Sequence, residues 1–114
     1  MTSVKLPAKL EHQMLLSIVG EGYGMRGKSR WIEDAITEFL NMENRVELVE
    51  YASEMINLSK VISVRLKDKT IMLIENAVTE VRTQYPNLEG VKSNIIRASI
   101  IQKLLHASVS VADI

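Results

Sequence analysis

Ser3-Val4-Lys5-Leu6 and Ser63-Val64-Arg65-Leu66 are two versions of one segment, sixty positions apart. Each is followed by an apolar run and then by a second shared segment. In the first half this reads Gly27-Lys28-Ser29-Arg30-Trp31-Ile32, and in the second Val91-Lys92-Ser93-Asn94-Ile95-Ile96. Both halves therefore have the form Ser-Val-basic-Leu, then Lys-Ser-x-apolar-Ile. An internal repeat constrains the architecture first, because each copy is one supersecondary unit that cannot bury its apolar face alone.

The opening segments alternate. In Thr2–Leu6, Val4 and Leu6 take one side, Ser3 and Lys5 the other. In Ile62–Lys67, Val64 and Leu66 face one way, Ser63, Arg65 and Lys67 the other. A period of two is the mark of a half-buried strand. Helical spacing follows each strand: over about Ala8–Val19, with Met14 and Ile18 on one face, and over about Lys69–Gln84, with Ile71, Ile74, Val78 and Val81. Breaker-rich loops come next, Gly20–Gly27 and Tyr85–Gly90, which hold every glycine of the chain. The three-glycine loop lacks the spacing of a phosphate loop and follows a helix rather than a strand, so nucleotide binding is not expected.

Ser29 and Ser93 stand where helix N-caps belong. The helices they open carry Trp31, Ile32, Ala35, Ile36, Phe39 and Leu40 in one copy and Ile95, Ile96, Ile100, Leu104 and Leu105 in the other. The offset between copies is now 64 rather than 60, from Lys28 to Lys92 and from Ser29 to Ser93, a difference that loops absorb. From Asn41 to Ser59, Val46, Val49, Ala52 and Ile56 keep helical spacing. Either the preceding helix continues or it breaks near Asn41–Asn44 and a third helix begins. The expected division is residues 2–42 as a first unit, 43–60 as a helical acidic connector, 61–106 as a second unit and 107–114 as a frayed tail.

At 114 residues the chain has room for one core. One Trp, three Tyr and one Phe leave that core to Leu, Ile, Val and Met. The absence of Cys removes disulfides, thiolate metal sites and thiol nucleophiles and suits a reducing compartment. The longest apolar stretch, Met14 to Gly20, is far shorter than the roughly 20 residues of a membrane span. The expectation is a cytoplasmic protein without a membrane partner.

Net charge is zero, but it is unevenly placed. Residues 1–30 carry Lys5, Lys9, Arg26, Lys28 and Arg30 against Glu11 and Glu21, a net +3. Residues 31–59 carry only Arg45 against seven acidic residues, a net −6, and residues 60–114 return to +3. Basic charge gathers near the repeated segments and acidic charge fills the middle. Such polarity suits one anion-facing side and one solvent- or partner-facing side.

A lone strand-helix-helix unit leaves strand edges unpaired. Two copies solve this by pairing their strands antiparallel over four helices. The expected class is α+β, mostly α: one antiparallel two-stranded ribbon over a helical core, with an extra connector helix. The alternating strand and the Lys-Ser-x-apolar-Ile helix start, in this order and duplicated over 2–42 and 61–106, resemble the ribbon-helix-helix family of Arc- and MetJ-type repressors. The two-copy arrangement is similar to the tandem members found among plasmid conjugation accessory proteins.

That resemblance implies binding of double-stranded DNA with the ribbon in the major groove. Outward side chains would then read bases: Ser3 and Lys5 on one strand, Ser63 and Arg65 on the other, with Pro7 and Lys67 flanking. The second-helix starts, Lys28 and Ser29 with Lys92 and Ser93, would hold phosphates, with Arg26 and Arg30 extending the clamp in the first copy. The implied roles are transcriptional regulation or plasmid transfer and maintenance. Self-association on DNA, with the acidic connector pairing with a neighbour's basic surface, would supplement affinity; the alternative is that the connector contacts a protein partner.

No cofactor is expected. His12 and His106 stand apart from other ligands, so no metal site is expected. Glu33, Asp34 and Glu38 read as a solvated helix face and Trp31 as core. No nucleophile-base pair is evident, so an enzyme is not expected. The alternative is a helical protein-interaction module, adaptor or antitoxin-like, without base readout.

Overall fold

The computed structural model describes residues 1–24 and 27–112, with side chains of the last helix through residue 107. Its elements run β1 (Thr2–Leu6), α1 (Ala8–Gly20), α2 (Lys28–Leu40), α3 (Arg45–Ala52), β2 (Lys60–Val64), α4 (Asp68–Gln84) and α5 (Val91–Ala112). The class is α+β and mostly helical, with one two-stranded antiparallel sheet.

β1 and β2 pair within the one chain, with Ser3 opposite Ser63, Val4 opposite Ile62 and Lys5 opposite Val61. Strand alternation turns Val4, Leu6, Ile62 and Val64 inward, all buried. The paired part of the second strand begins earlier than its alternation suggests, at Lys60, and ends at Val64. The cause is register. With Ser3 facing Ser63, Leu6 and Lys5 fall opposite Lys60 and Val61. The Arg65 N–H, beyond the ladder, goes instead to the Ser29 hydroxyl at 3.2 Å.

The central helix contact is between α2 and α5. α2 contributes Trp31, Ile32, Ala35, Ile36 and Phe39, and α5 contributes Ile95, Ile96, Ala98 and Ile100, all buried. Fully burying one such large apolar side chain stabilises by roughly 1.5–3 kcal/mol, so this pair dominates the core. The contacts also cross between halves: α2 packs on β2 and α5 on β1. Leu105, expected inward, is 52% exposed, because the buried line of α5 runs through Ile96, Ile100 and Lys103 instead.

The chain does break after α2, at residues 41–44, and restarts as α3. Val46, Val49 and Ala52 are buried as their spacing requires, but the helix stops at Ala52 and Ile56 is 73% exposed. The connector is therefore helical over eight residues only. Asn57, with φ of 59°, turns the backbone toward β2, a left-handed conformation that Asn tolerates better than most residues. α3 is tied to α4 by a two-pronged ion pair, Arg45 Nε to Glu80 Oε1 at 2.8 Å and the terminal nitrogen to Oε2 at 2.7 Å. The segment expected as a frayed tail continues α5 as far as Ala112.

Candidate nucleic-acid interface

The outer face of the ribbon carries the side chains that alternate away from the core. Ser3, Lys5, Val61 and Ser63 are all exposed there. At its centre the Ser3 and Ser63 hydroxyls lie 3.2 Å apart, within hydrogen-bond reach. Because these serines occupy equivalent places in the two repeats, the ribbon has a local two-fold relation through their midpoint. Lys5 and Arg65 are equivalent under it and sit toward opposite ends. Val61 was missed by the sequence reading, although Val61-Ser63-Arg65 continues the same outward alternation.

Arg65 is exposed just past the end of β2. It shares a groove with Ser29, Arg30, Glu33 and Lys67. The groove thus joins one end of the ribbon to the start of α2 and brings Arg65 beside Ser29, one of the residues expected at phosphates. Arg30 lines it as well, whereas Arg26 lies outside the described residues.

Neither serine caps its helix. α2 begins at Lys28 after Gly27, without a side-chain cap bond, and its first backbone bond runs from Trp31 N–H to the Gly27 carbonyl at 2.8 Å. Gly27 is required by space: a Cβ there would run into the carbonyl and Cβ of Tyr23. Ser29, one residue into the helix, is drawn to the ribbon by the Arg65 N–H. α5 begins at Val91, so Ser93 is its third residue. Gly90 precedes it with φ of +64°, a conformation open to glycine at little cost. Lys28 is half-buried and Lys92 exposed. Helix starts attract anions through unsatisfied N–H groups and the dipole.

Two further residues hold these helix starts against the ribbon, and both lie outside the expected site. Glu33 Oε2 accepts the Lys67 N–H at 2.7 Å and the Thr70 hydroxyl at 3.1 Å. Its counterpart 64 positions on, Arg97, donates from Nε to the Lys5 carbonyl at 2.7 Å and from a terminal nitrogen to Asn94 Oδ1 at 2.9 Å. Burial lowers the Arg97 pKa. Ser29 and Glu33, like Ser93 and Arg97, are four residues apart and share a helix face. Ser29 and Glu33 thus set the start of α2 beside the end of β2, and Arg97 alone sets the start of α5 beside the end of β1.

Glu33, Asp34 and Glu38 are not simply solvated. Asp34 accepts the Tyr23 hydroxyl at 2.6 Å, and Glu38 meets Lys103 at 3.4 Å. The hydrogen bond to Asp34, with burial and nearby carboxylates, pushes Tyr23 up to about 12. Trp31, buried as expected, donates its indole N–H to Glu21 at 2.6 Å. Burial raises the Glu21 carboxyl, but hydrogen bonds from Ser17 and Trp31 and the Lys103 charge outweigh it and leave the pKa below its ordinary value. The Lys103 ammonium lies 5.7 Å from the Trp31 ring centre and 5.9 Å from that of Tyr23. Together these contacts fasten the α1–α2 turn to α2 and α5.

His12 and His106 are exposed, and among the described residues no group of three His, Asp or Glu could hold a metal ion. No helix among them is long and apolar enough to cross a membrane. Comparison with family models, with curated proteins and with solved structures finds no match to this chain.

Proposed function

We propose that this protein binds double-stranded DNA in a sequence-specific manner, as a tandem ribbon-helix-helix protein whose single chain supplies both strands of the ribbon. The observation that carries the reading is the register: equivalent serines of the two repeats, Ser3 and Ser63, face each other at the centre of an exposed ribbon. Lys5 and Arg65 flank them with donors. Arg65 suits the paired acceptors O6 and N7 of guanine, Lys5 offers a point donor, and the serines suit several bases. The starts of α2 and α5 would fix the ribbon on the backbone through Lys28, Ser29, Lys92 and Ser93. Lys5 and Arg65 differ, so the site need not be palindromic. Transcriptional regulation and plasmid transfer or maintenance are the roles such binding serves.

The test is selection of duplexes from a random pool at physiological ionic strength, followed by anisotropy titration with Arg65→Ala and Lys5→Ala beside the wild type. One enriched sequence, with preference lost in the variants and the fold retained, supports base reading. No enrichment sinks it.

A second reading, a protein-interaction module, is favoured by a different surface. Tyr51, Ile56 and Leu105 are exposed; Leu105 lines an apolar groove with Leu10, Met55 and Ile101, and Tyr51 lines a second one with Leu48, Glu54 and Met55. If that reading holds, Arg65→Ala leaves activity intact.

A further inference from the structure

We propose that Val61 is a specificity-determining residue that packs against the C5-methyl group of a thymine, at or beside the base pair contacted by Lys5. This rests on the ribbon reading above and specifies what one end of that ribbon recognises.

Strand propensity alone accounts for a β-branched residue in a strand. Its position narrows the role. Val61 sits opposite Lys5 and two residues before Ser63, on the outward side of β2. Its neighbours on that side, Lys5, Ser3 and Ser63, are all polar. It is nonetheless 60% exposed, while the inward Ile62 beside it is 4% exposed. The ribbon thus presents a pair of methyl groups next to a cation, on the face that carries its donors.

The chemistry of the major groove selects the ligand. Thymine alone among the four bases offers a methyl group there, and apolar side chains contact it. Directly opposed side chains on an antiparallel pair have Cβ atoms about 5 Å apart. Successive bases along one strand are about 3.4 Å apart. Lys5 and Val61 therefore span the same or adjacent base pairs, Lys5 donating to an acceptor and Val61 covering the methyl. The other end of the ribbon carries Arg65, equivalent to Lys5 under the repeat. The two ends consequently favour different base steps, and thymine preference belongs to the Lys5–Val61 end.

The experiment uses the full chain and its selected duplex. Each thymine is replaced in turn by deoxyuridine, which removes only the C5-methyl, and binding is measured for the wild type and Val61→Ala. At one position, deoxyuridine is expected to weaken wild-type binding by about threefold to tenfold, the scale of one buried methyl. The same replacement is expected to cost Val61→Ala clearly less, because its single methyl does not reach as far as the two of Val61, and to leave Val61→Ser unaffected. Val61→Ser is measured beside Val61→Ala, because Ala keeps one methyl close to the backbone whereas Ser presents none. The inference is overturned if a sequence is selected but no deoxyuridine matters, or if the cost is the same in wild type and variant. If no sequence is selected, the ribbon reading falls and this inference with it.

Discussion

Pro7 and Lys67 stand at equivalent places, one residue ahead of α1 and α4, yet only Lys67 has a backbone N–H to give. The side chains that answer them differ accordingly. Glu33 accepts the Lys67 N–H, whereas Arg97 reaches past Pro7 to the Lys5 carbonyl. One missing hydrogen in the backbone thus goes with a reversal of charge on the packing helix. Arg97→Met keeps most of the side-chain volume but leaves the Lys5 carbonyl and Asn94 Oδ1 without this donor. It is expected to cost about 1–3 kcal/mol, read from urea denaturation; an unchanged midpoint would show that water serves as well. Tyr23 makes a second expectation at this scale. Its pKa of about 12 lies above the ordinary value of 10, so its contribution to stability is fully present below about pH 10 and disappears as pH rises through about 12. Titrated by phenolate absorbance, the folded protein should show a late step that Tyr23→Phe removes.

Among the elements, the helices and inward strand residues were legible because local periodicity and burial agree. Val4, Leu6, Val64 and Leu66 face inward as their alternation says, and the inward residues of α2 fall as their spacing says, with Leu40 only half-buried. What was not legible depends on partners. The ladder ends at Val64 because of the register against β1, which no local pattern records. The serines read as caps, but the ribbon recruits Ser29 through the Arg65 N–H. Spacing carried the apolar pattern of α3 on to Ile56, while the backbone turned away after Ala52. α3 is short, and isolated helices of its length are marginal in water, so it depends on its packing and on Arg45–Glu80. Both side chains of that pair are about one-third exposed, at 33% and 38%, which limits its worth. A double-mutant cycle with Arg45→Ala and Glu80→Ala is expected to give a coupling of about 0.5–1 kcal/mol at low salt, less at high salt. A coupling that ignores salt would mean that the pair acts through packing rather than charge.

For the whole molecule, zero net charge means that the proposed attraction to DNA would rest on the placement of charge rather than on its total. The acidic residues of the connector, Glu43, Glu47, Glu50 and Glu54, oppose a long-range pull, while Lys5, Lys28, Arg30, Arg65, Lys67 and Lys92 act close to the proposed interface. Affinity should then depend steeply on salt through the phosphates actually touched, with a slope of about −0.9 for each. Lys28 and Lys92 provide the separation between holding and reading. If they contact phosphates, Lys28→Ala or Lys92→Ala weakens binding by a similar factor on preferred and random duplexes and reduces the salt slope by about 1. Lys5→Ala and Arg65→Ala instead narrow the gap between preferred and random sequences. The measurement is affinity against salt concentration on both duplexes for all four variants. A Lys28→Ala protein that keeps the wild-type slope would remove that helix start from the interface. If Lys92→Ala then lost its full step, the backbone would be gripped at the start of α5 alone, and the two repeats would share the ribbon but divide the holding unequally.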